Sequence, residues 1–449
     1  MTNNNESGGI MRRVMRSSAF TIVGFGAQQI LRFGSNLILA RLLFPEAFGT
    51  MALVTVLLIG LTMLSDLGIQ PAIQSSKRGD DPAFLNTAWT LNMIRALCLF
   101  IAACALAYPM SLFYHEPMLF QLIPVAAISM LLLALEPTRA ETASRHMALG
   151  RVTIMEISAQ VISIAVMLLL AWWMQSIWAL VLGNLVAAGA RAGLAWVMLP
   201  GISNRLHLDR SSALELVSYG RWIFFSTVAG FIVLQSDKLI LGRYLTMEEL
   251  GLYNIGFFLA GFPLMLGLLL VQRLMIPIYR ASPPKESPEN FARLRRIRFM
   301  LSAFLIAGVT PLALGGVYIV DLLYDPRYAA SGAVTMVVSI ALLPQMLGLT
   351  YDQVALASGD SRGFFWLNAT RAVILVILLL ILVPMLGIPG APVAMASTAL
   401  LSYPLQLRLA RKHGAWDPLH DAVMAAIAGA LLLLVLSIHG ERLAMIFAQ

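Results

Sequence analysis

The chain has little charge. Only 12% of its 449 residues are Asp, Glu, Lys or Arg, against about a quarter in a soluble domain. By contrast 59% are hydrophobic, and the mean hydropathy is +0.81. Near-continuous apolar segments run along its whole length, which leaves no room for a separate soluble domain and marks an all-α polytopic membrane protein. Cysteine is scarce too: Cys98 and Cys104 lie in one apolar segment and read as small buried hydrophobes, not as a disulfide or a metal site. There is no Walker motif, nucleophile elbow, metal cluster or glycine-rich nucleotide loop. This argues against an ATPase or soluble-type hydrolase; no cofactor is expected, and the chain is read as a non-enzyme. The N-terminus MTNNNESGGIMRRVMR shows no cleavable signal peptide; it passes from polar to basic residues into a first span.

Apolar runs bounded by charge, Pro and Gly give spans at about 18–41, 48–69, 84–108, 118–136, 152–174 and 177–199, then a polar, basic connection. A second set follows at about 222–242, 250–272, 299–320, 330–352, 363–384 and 389–409, with a thirteenth span at about 421–438. The expected organisation is an N-terminal lobe over 1–199 and a cytoplasmic connection over 200–221. A C-terminal lobe over 222–412 and an extra span and tail over 413–449 complete it.

The net charge of +8 does not suggest nucleic acid; it reflects basic loops on one side of a bilayer. With the N-terminus cytoplasmic, 22 of the 31 Lys and Arg residues fall on the cytoplasmic side, among them the run ARLRRIRFM at 292–300. Four fall opposite: Arg41, Arg243, Arg327 and Arg442. A reversed topology inverts this bias, so the N-terminus is assigned to the cytoplasm.

Five basic residues belong to no loop: Arg32, Arg95, Arg191, Lys238 and Arg371. A charge at the centre of a membrane helix costs about 2.5–3.5 kcal/mol, so such residues face a bundle interior or a wet cavity. Their neighbours are polar at helical spacing. Gly24, Gln28, Arg32 and Ser35/Asn36 share one stripe, Asn92 accompanies Arg95, and Asn368 accompanies Arg371. Asn184 lies seven residues before Arg191, and Ser226, Gly230 and Asp237/Lys238 follow the same rhythm. Of the acids Asp66, Glu136, Glu156, Asp237 and Asp352, all but Asp237 are expected near cytoplasmic ends, where water is close. Arg32, Lys238, Arg95 and Arg371 also have a structural reading, pairing with an acid such as Asp66 or Asp237 to lock the bundle, whereas Arg191, nearer the cytoplasmic end, can instead snorkel to the interface.

An internal repeat is visible at an offset of 202, which lays Leu39, Arg41, Leu43, Glu46 and Gly49 on Leu241, Arg243, Leu245, Glu248 and Gly251. Arg41, Glu46, Asp66, Arg243 and Glu248 are accordingly the candidate hairpin and gating residues. Six spans per half give two lobes of the same orientation, the arrangement of parallel-repeat transporters with a binding site near the midplane.

LARLLFPEAFGTMALV with SDLGIQPAIQ, and SYGRWIFFSTVAGFIVLQSDKLILGRYLTMEELGLYNIGFFL in the second half, resemble the Wzx-like polysaccharide flippases of the multidrug/oligosaccharidyl-lipid/polysaccharide exporter superfamily. The resemblance spans the whole chain and is strongest over about 20–75 and 215–280. It implies two six-helix lobes around a central cavity, plus the thirteenth helix, in a bacterial inner membrane. It implies as substrate an oligosaccharide repeat unit linked through pyrophosphate to undecaprenol, turned from the cytoplasmic to the periplasmic leaflet by alternating access. Membrane lipids, a polysaccharide polymerase and chain-length machinery are the partners it implies. On this reading Gln28, Arg32, Asn36, Asn92, Arg95, Asn184, Arg191, Asp237, Lys238, Asn368 and Arg371 line a cationic cavity. The alternatives are a multidrug/cation antiporter, which calls for a deep acid where the first span carries Arg32, and a lipid II-type flippase. A membrane polysaccharide polymerase is a third, at odds with the short outward loops.

Overall fold

The computed structural model describes the backbone of residues 3–66, 68–146 and 148–447, with the side chains of these except 3–22, 218–226, 273, 276, 277, 280 and 442–447. Regular structure among the described residues is entirely helical. In order come α1 (Asn3–Leu42), α2 (Pro45–Met63), α3 (Ile69–Ser75), α4 (Pro82–Phe113) and α5 (Met118–Ala134). Next are α6 (Arg139–Arg145), α7 (Leu149–Met174), α8 (Trp178–Met198), α9 (Arg210–Tyr244) and α10 (Met247–Ala281). The last six are α11 (Pro288–Leu323), α12 (Ala330–Ala341), α13 (Leu343–Ala357), α14 (Ser361–Leu386), α15 (Gly390–Lys412) and α16 (Pro418–Phe447).

Every expected span has a helical counterpart, and α16 supplies the thirteenth. Among the described residues eight helices are long and apolar enough to cross a membrane alone. The count reaches ten if two bent pairs, α5 with α6 (55°) and α12 with α13 (43°), are each one span. These are spans four and ten, the same place in each half. Each break lies beside a proline, Pro137 and Pro344, whose ring removes a donor and blocks the preceding turn. Arg12, Arg13, Arg16, Arg221, Ser226, Arg273, Arg280 and Arg442, used in the sequence reading, lie outside the described side chains.

Helix ends follow local chemistry. Asp81 caps α4 ahead of Pro82, Ser287 caps α11 ahead of Pro288, and Asp360 caps α14 by accepting from the Gly363 amide. Thr246 and Glu249 form a reciprocal capping box on α10.

Two compact units emerge. The first holds Met1–Leu43 and Val54–Val228; the second holds Phe44–Leu53 and Ala229–Gln449, so ten residues of the first half are counted with the second. In the first unit α1 packs on α7, α7 on α8, and α5 on both α4 and α8. Fully buried alanines such as Ala103, Ala107, Ala171, Ala179 and Ala195 let these backbones approach closely. Such contact matters because lipid tails are as apolar as a leucine core, leaving packing to drive association. The connection after α8 is bound to the start of α4. The Arg205 amide donates to Asn86 Oδ1 (2.9 Å), that of His207 to Thr90 Oγ1 (3.0 Å), and that of Asp209 to Thr87 Oγ1 (3.0 Å). In the second unit α10 and α11 pack on α12, α14 on α15, and α16 on α11 to α13.

Two expectations need correcting. Cys98 is exposed and Cys104 half-buried on α4, because a small apolar side chain is as well placed against lipid as in a core. Arg298 is no loop determinant but fully buried. The unbroken α11 turns Leu294, Arg298, Leu301, Ser302 and Leu305 inward on one stripe. The Arg298 guanidinium donates to Tyr279 Oη (2.6 Å) and to the Ala415 carbonyl, and lies 4.3 Å from the Tyr351 ring centroid.

Candidate functional site

In the first unit a polar layer joins four helices. Gly24 on α1 sits against Thr153 of α7 so closely that a side chain there would meet it. One turn on, Gln28 Nε2 donates to Glu156 of α7 (3.1 Å), while Gln160 of α7 donates to the Gln28 carbonyl (2.9 Å). Arg191 of α8 reaches Glu136 at the end of α5 (2.9 Å) and Glu156 (3.7 Å). The lower half of the α1 stripe therefore faces α7. Arg32 follows another turn up, exposed, with Ser35 and Asn36 half-buried beyond it.

Arg95 behaves differently. It donates to Ser65 Oγ (3.0 Å), the Thr62 carbonyl (2.7 Å) and Asn92 Oδ1 (3.4 Å), closing the last turn of α2. No carboxylate among the described residues lies within ion-pair distance of it. Asp66 accepts from the Gly68 amide (2.9 Å), a contact of its own helix end. Asn184 is exposed on α8, and Arg41 is exposed at the end of α1.

In the second unit Asp237 and Lys238 diverge, as sequence neighbours on a helix do. Asp237 is buried and accepts from Tyr253 of α10 (2.8 Å). Lys238 is half-buried, 3.4 Å from Gln235 Oε1 and 5.5 Å from the Phe257 ring centroid. It too has no carboxylate partner among the described residues. Arg371 of α14 pairs with Asp352 of α13 (2.9 Å), whose other oxygen accepts from Gln406 of α15 (2.7 Å). Asn368 donates to the Phe364 carbonyl of its own helix. Glu46 and Glu248 are exposed in the first turns of α2 and α10, where acids suit the helix dipole. Arg243 is exposed at the end of α9.

Four of the five deep cations thus divide by partner. Arg191 and Arg371 are held by the acids Glu136, Glu156 and Asp352, which sequence reading had assigned to wet span ends. Arg95 and Lys238 are held by neutral groups and have no carboxylate within ion-pair distance among the described residues. A second cluster escaped sequence reading altogether: Asp421 of α16 accepts from Tyr351 (2.7 Å), Tyr403 (2.6 Å) and Trp416 (3.1 Å), and Asp417 pairs with Arg295 (2.5 Å). With Arg298 it fastens the start of α16 to α11, α13 and α15. The signal was there in Leu294, Arg298 and Ser302 at four-residue spacing.

Residues 38–331 match the model of a family described as polysaccharide biosynthesis protein. The chain belongs to that family. It is 26% identical over 302 residues to the amylovoran biosynthesis protein AmsL of Erwinia amylovora, covering 65% of this chain and 75% of that one. It is 23% identical over 269 residues to the succinoglycan biosynthesis transport protein ExoT of Rhizobium meliloti (strain 1021), covering 60% of this chain and 54% of that relative. In fold it is similar to the lipid II flippase MurJ in an inward closed conformation, with TM-score 0.75, 13% identity, and 94% and 92% of the two chains covered. This member of the family therefore has a multi-pass, all-helical transporter fold.

Proposed function

We propose that the protein flips lipid-linked oligosaccharides, built for a surface polysaccharide, from the cytoplasmic to the periplasmic leaflet of a bacterial inner membrane, with its N-terminus in the cytoplasm. It acts as an alternating-access carrier, not as an enzyme. Membership of the polysaccharide biosynthesis family over residues 38–331 carries this reading; the named relatives and the transporter fold support it.

The physical task is to move a charged, hydroxyl-rich head group through hydrocarbon while its prenyl tail stays in lipid. An anion stripped of water there is prohibitively costly unless it is paired. Arg32, Arg95 and Lys238 are the proposed contacts for a pyrophosphate or an acidic sugar. Arg offers a planar fork to such anions, and Lys a point charge. Gln28, Asn36, Asn92, Asn184 and Asn368 are the proposed partners of sugar hydroxyls. Arg191 and Arg371, already paired, tie α8 to α5 and α7 and α14 to α13. Polysaccharide polymerase and chain-length machinery are the proposed downstream partners.

The test is complementation in a strain lacking its own flippase for a defined anionic glycan. Restored surface glycan supports the reading. Drug efflux without glycan export points to the antiporter.

A further inference from the structure

We infer that the paired ends of α14 and α15 form a head-group site for an anionic bilayer phospholipid. This rests on the membrane-spanning fold, not on the transport reading. The two helices are fixed in register where α14 begins and α15 ends. Gly363 lies directly against the Leu409 side chain, and the Asp360 carboxylate accepts from Lys412 Nζ at 2.5 Å. One residue from each partner of that packed pair stands an exposed arginine, Arg362 on α14 and Arg408 on α15. Neither has a hydrogen-bonding, ionic or aromatic partner among the described residues.

The surface beyond them is apolar. On α14 Arg362 heads a stripe of Trp366, Val373, Ile377 and Leu380, all more than half exposed. This stripe is opposite the buried Leu367, Leu375 and Leu379. On α15 Leu401, 60% exposed, and Pro404 lead to Arg408 at three- and four-residue steps. Exposed aliphatic stripes on neighbouring helices are a place for acyl chains. Trp366, about one turn in from Arg362, is at the depth where indole rings settle at a membrane interface.

The charge pattern selects the occupant. The carboxylate at this corner, Asp360, is already engaged by Lys412, His413 and the Gly363 amide. Two guanidinium groups from different helices remain for a phosphodiester, which suits their donor forks. A zwitterionic lipid brings a compensating ammonium and gains less. The α11 helix offers a comparison, since Arg293 and Arg296 are also exposed, without a partner among the described residues, and precede exposed Met300 and Phe304. There one helix supplies both charges and no tryptophan accompanies them.

The test uses the full chain in nanodiscs of phosphatidylcholine containing a minor fraction of spin-labelled phosphatidylglycerol or spin-labelled phosphatidylcholine. The immobilised fraction of each label is measured by electron paramagnetic resonance. The wild-type protein is expected to immobilise phosphatidylglycerol preferentially. R362Q/R408Q should reduce that preference by about fivefold for each arginine removed, R362K/R408K should retain much of it, and R293Q/R296Q should leave it nearly unchanged. Undiminished preference in R362Q/R408Q overturns the site. Equal loss in the two glutamine pairs also overturns it, showing a diffuse basic surface instead. Thermal unfolding of each variant in the same discs identifies any that is misfolded. For a misfolded pair, the single variants R362Q and R408Q decide between the same two results.

Discussion

Gly49 and Gly251 meet where α2 and α10 begin. A Cβ built on Gly49 would fall 2.9 Å from the Gly251 nitrogen and collide with the Met247 carbonyl; one on Gly251 would lie 3.2 Å from the Gly49 nitrogen and collide with the Pro45 carbonyl. Each glycine thus meets the residue equivalent to the one its counterpart meets, at the offset of 202 read from the sequence. The repeat is a contact as well as a pattern, and it lies within the second unit, to which Phe44–Leu53 belongs.

Alanine at either glycine should force these backbones apart. Overpacking of this kind costs about 1–3 kcal/mol, and here the obstacle is backbone, which has little room to yield. G49A and G251A are expected to lower the melting temperature in detergent and to reduce export. G429A, with nothing within 4 Å of its new methyl group, should be neutral or slightly stabilising. Wild-type stability in both G49A and G251A would count against the close crossing.

The two ion-paired arginines should differ in weight. Breaking a buried pair costs about 3–5 kcal/mol and an exposed one less than about 1 kcal/mol. Arg371 and Asp352 are each 17% exposed, whereas Arg191 is 42% exposed beside Glu136 at 12%. R371M should therefore destabilise by about 2–4 kcal/mol and R191M by about 1–2 kcal/mol. Adding D352N or E136Q, respectively, should restore part of each loss. Denaturant unfolding in micelles measures both; additive losses in the double variants would remove the coupling.

The α14–α15 junction should resist mild acid. Hydrogen bonds from Lys412 and then from the Gly363 amide hold the Asp360 carboxyl well below the usual carboxylate range. The stability it contributes is present above the unfolded value of about 4 and is lost only as pH falls below that, towards the lowered folded value. Hydrogen-exchange protection in the first turn of α14, taken relative to the unfolded-chain rate at each pH, should hold from pH 7 to 5 and fall below about pH 4. In D360N it should already be lower at pH 7. Loss of protection between pH 7 and 5 in the wild-type protein would assign the junction to another group.

Much of the fold was legible because hydrocarbon imposes length and composition on each span, and α16 could be read for that reason. The breaks in spans four and ten were harder to read: Pro137 and Pro344 are visible, but membrane helices often tolerate proline. Residue pairing was not legible. Glu136 and Arg191 are 55 positions apart in the chain and their spacing carries no signal. The basic run at 292–300 hid Arg298 because charge density at a span edge normally means water. Only the four-residue stripe through Ser302 distinguished it. What sequence did convey about the site is the surplus of deep positive charge, of which Arg95 and Lys238 stand without an ion-pair partner among the described residues.

The central claim is that an anionic head group meets this positive charge, and charge reversal tests it most directly. In the flippase-deficient strain, R32E and K238E should each abolish surface glycan while the protein reaches the membrane at wild-type level, and R32K should retain a substantial part of export. Wild-type glycan from both reversed variants would contradict the account.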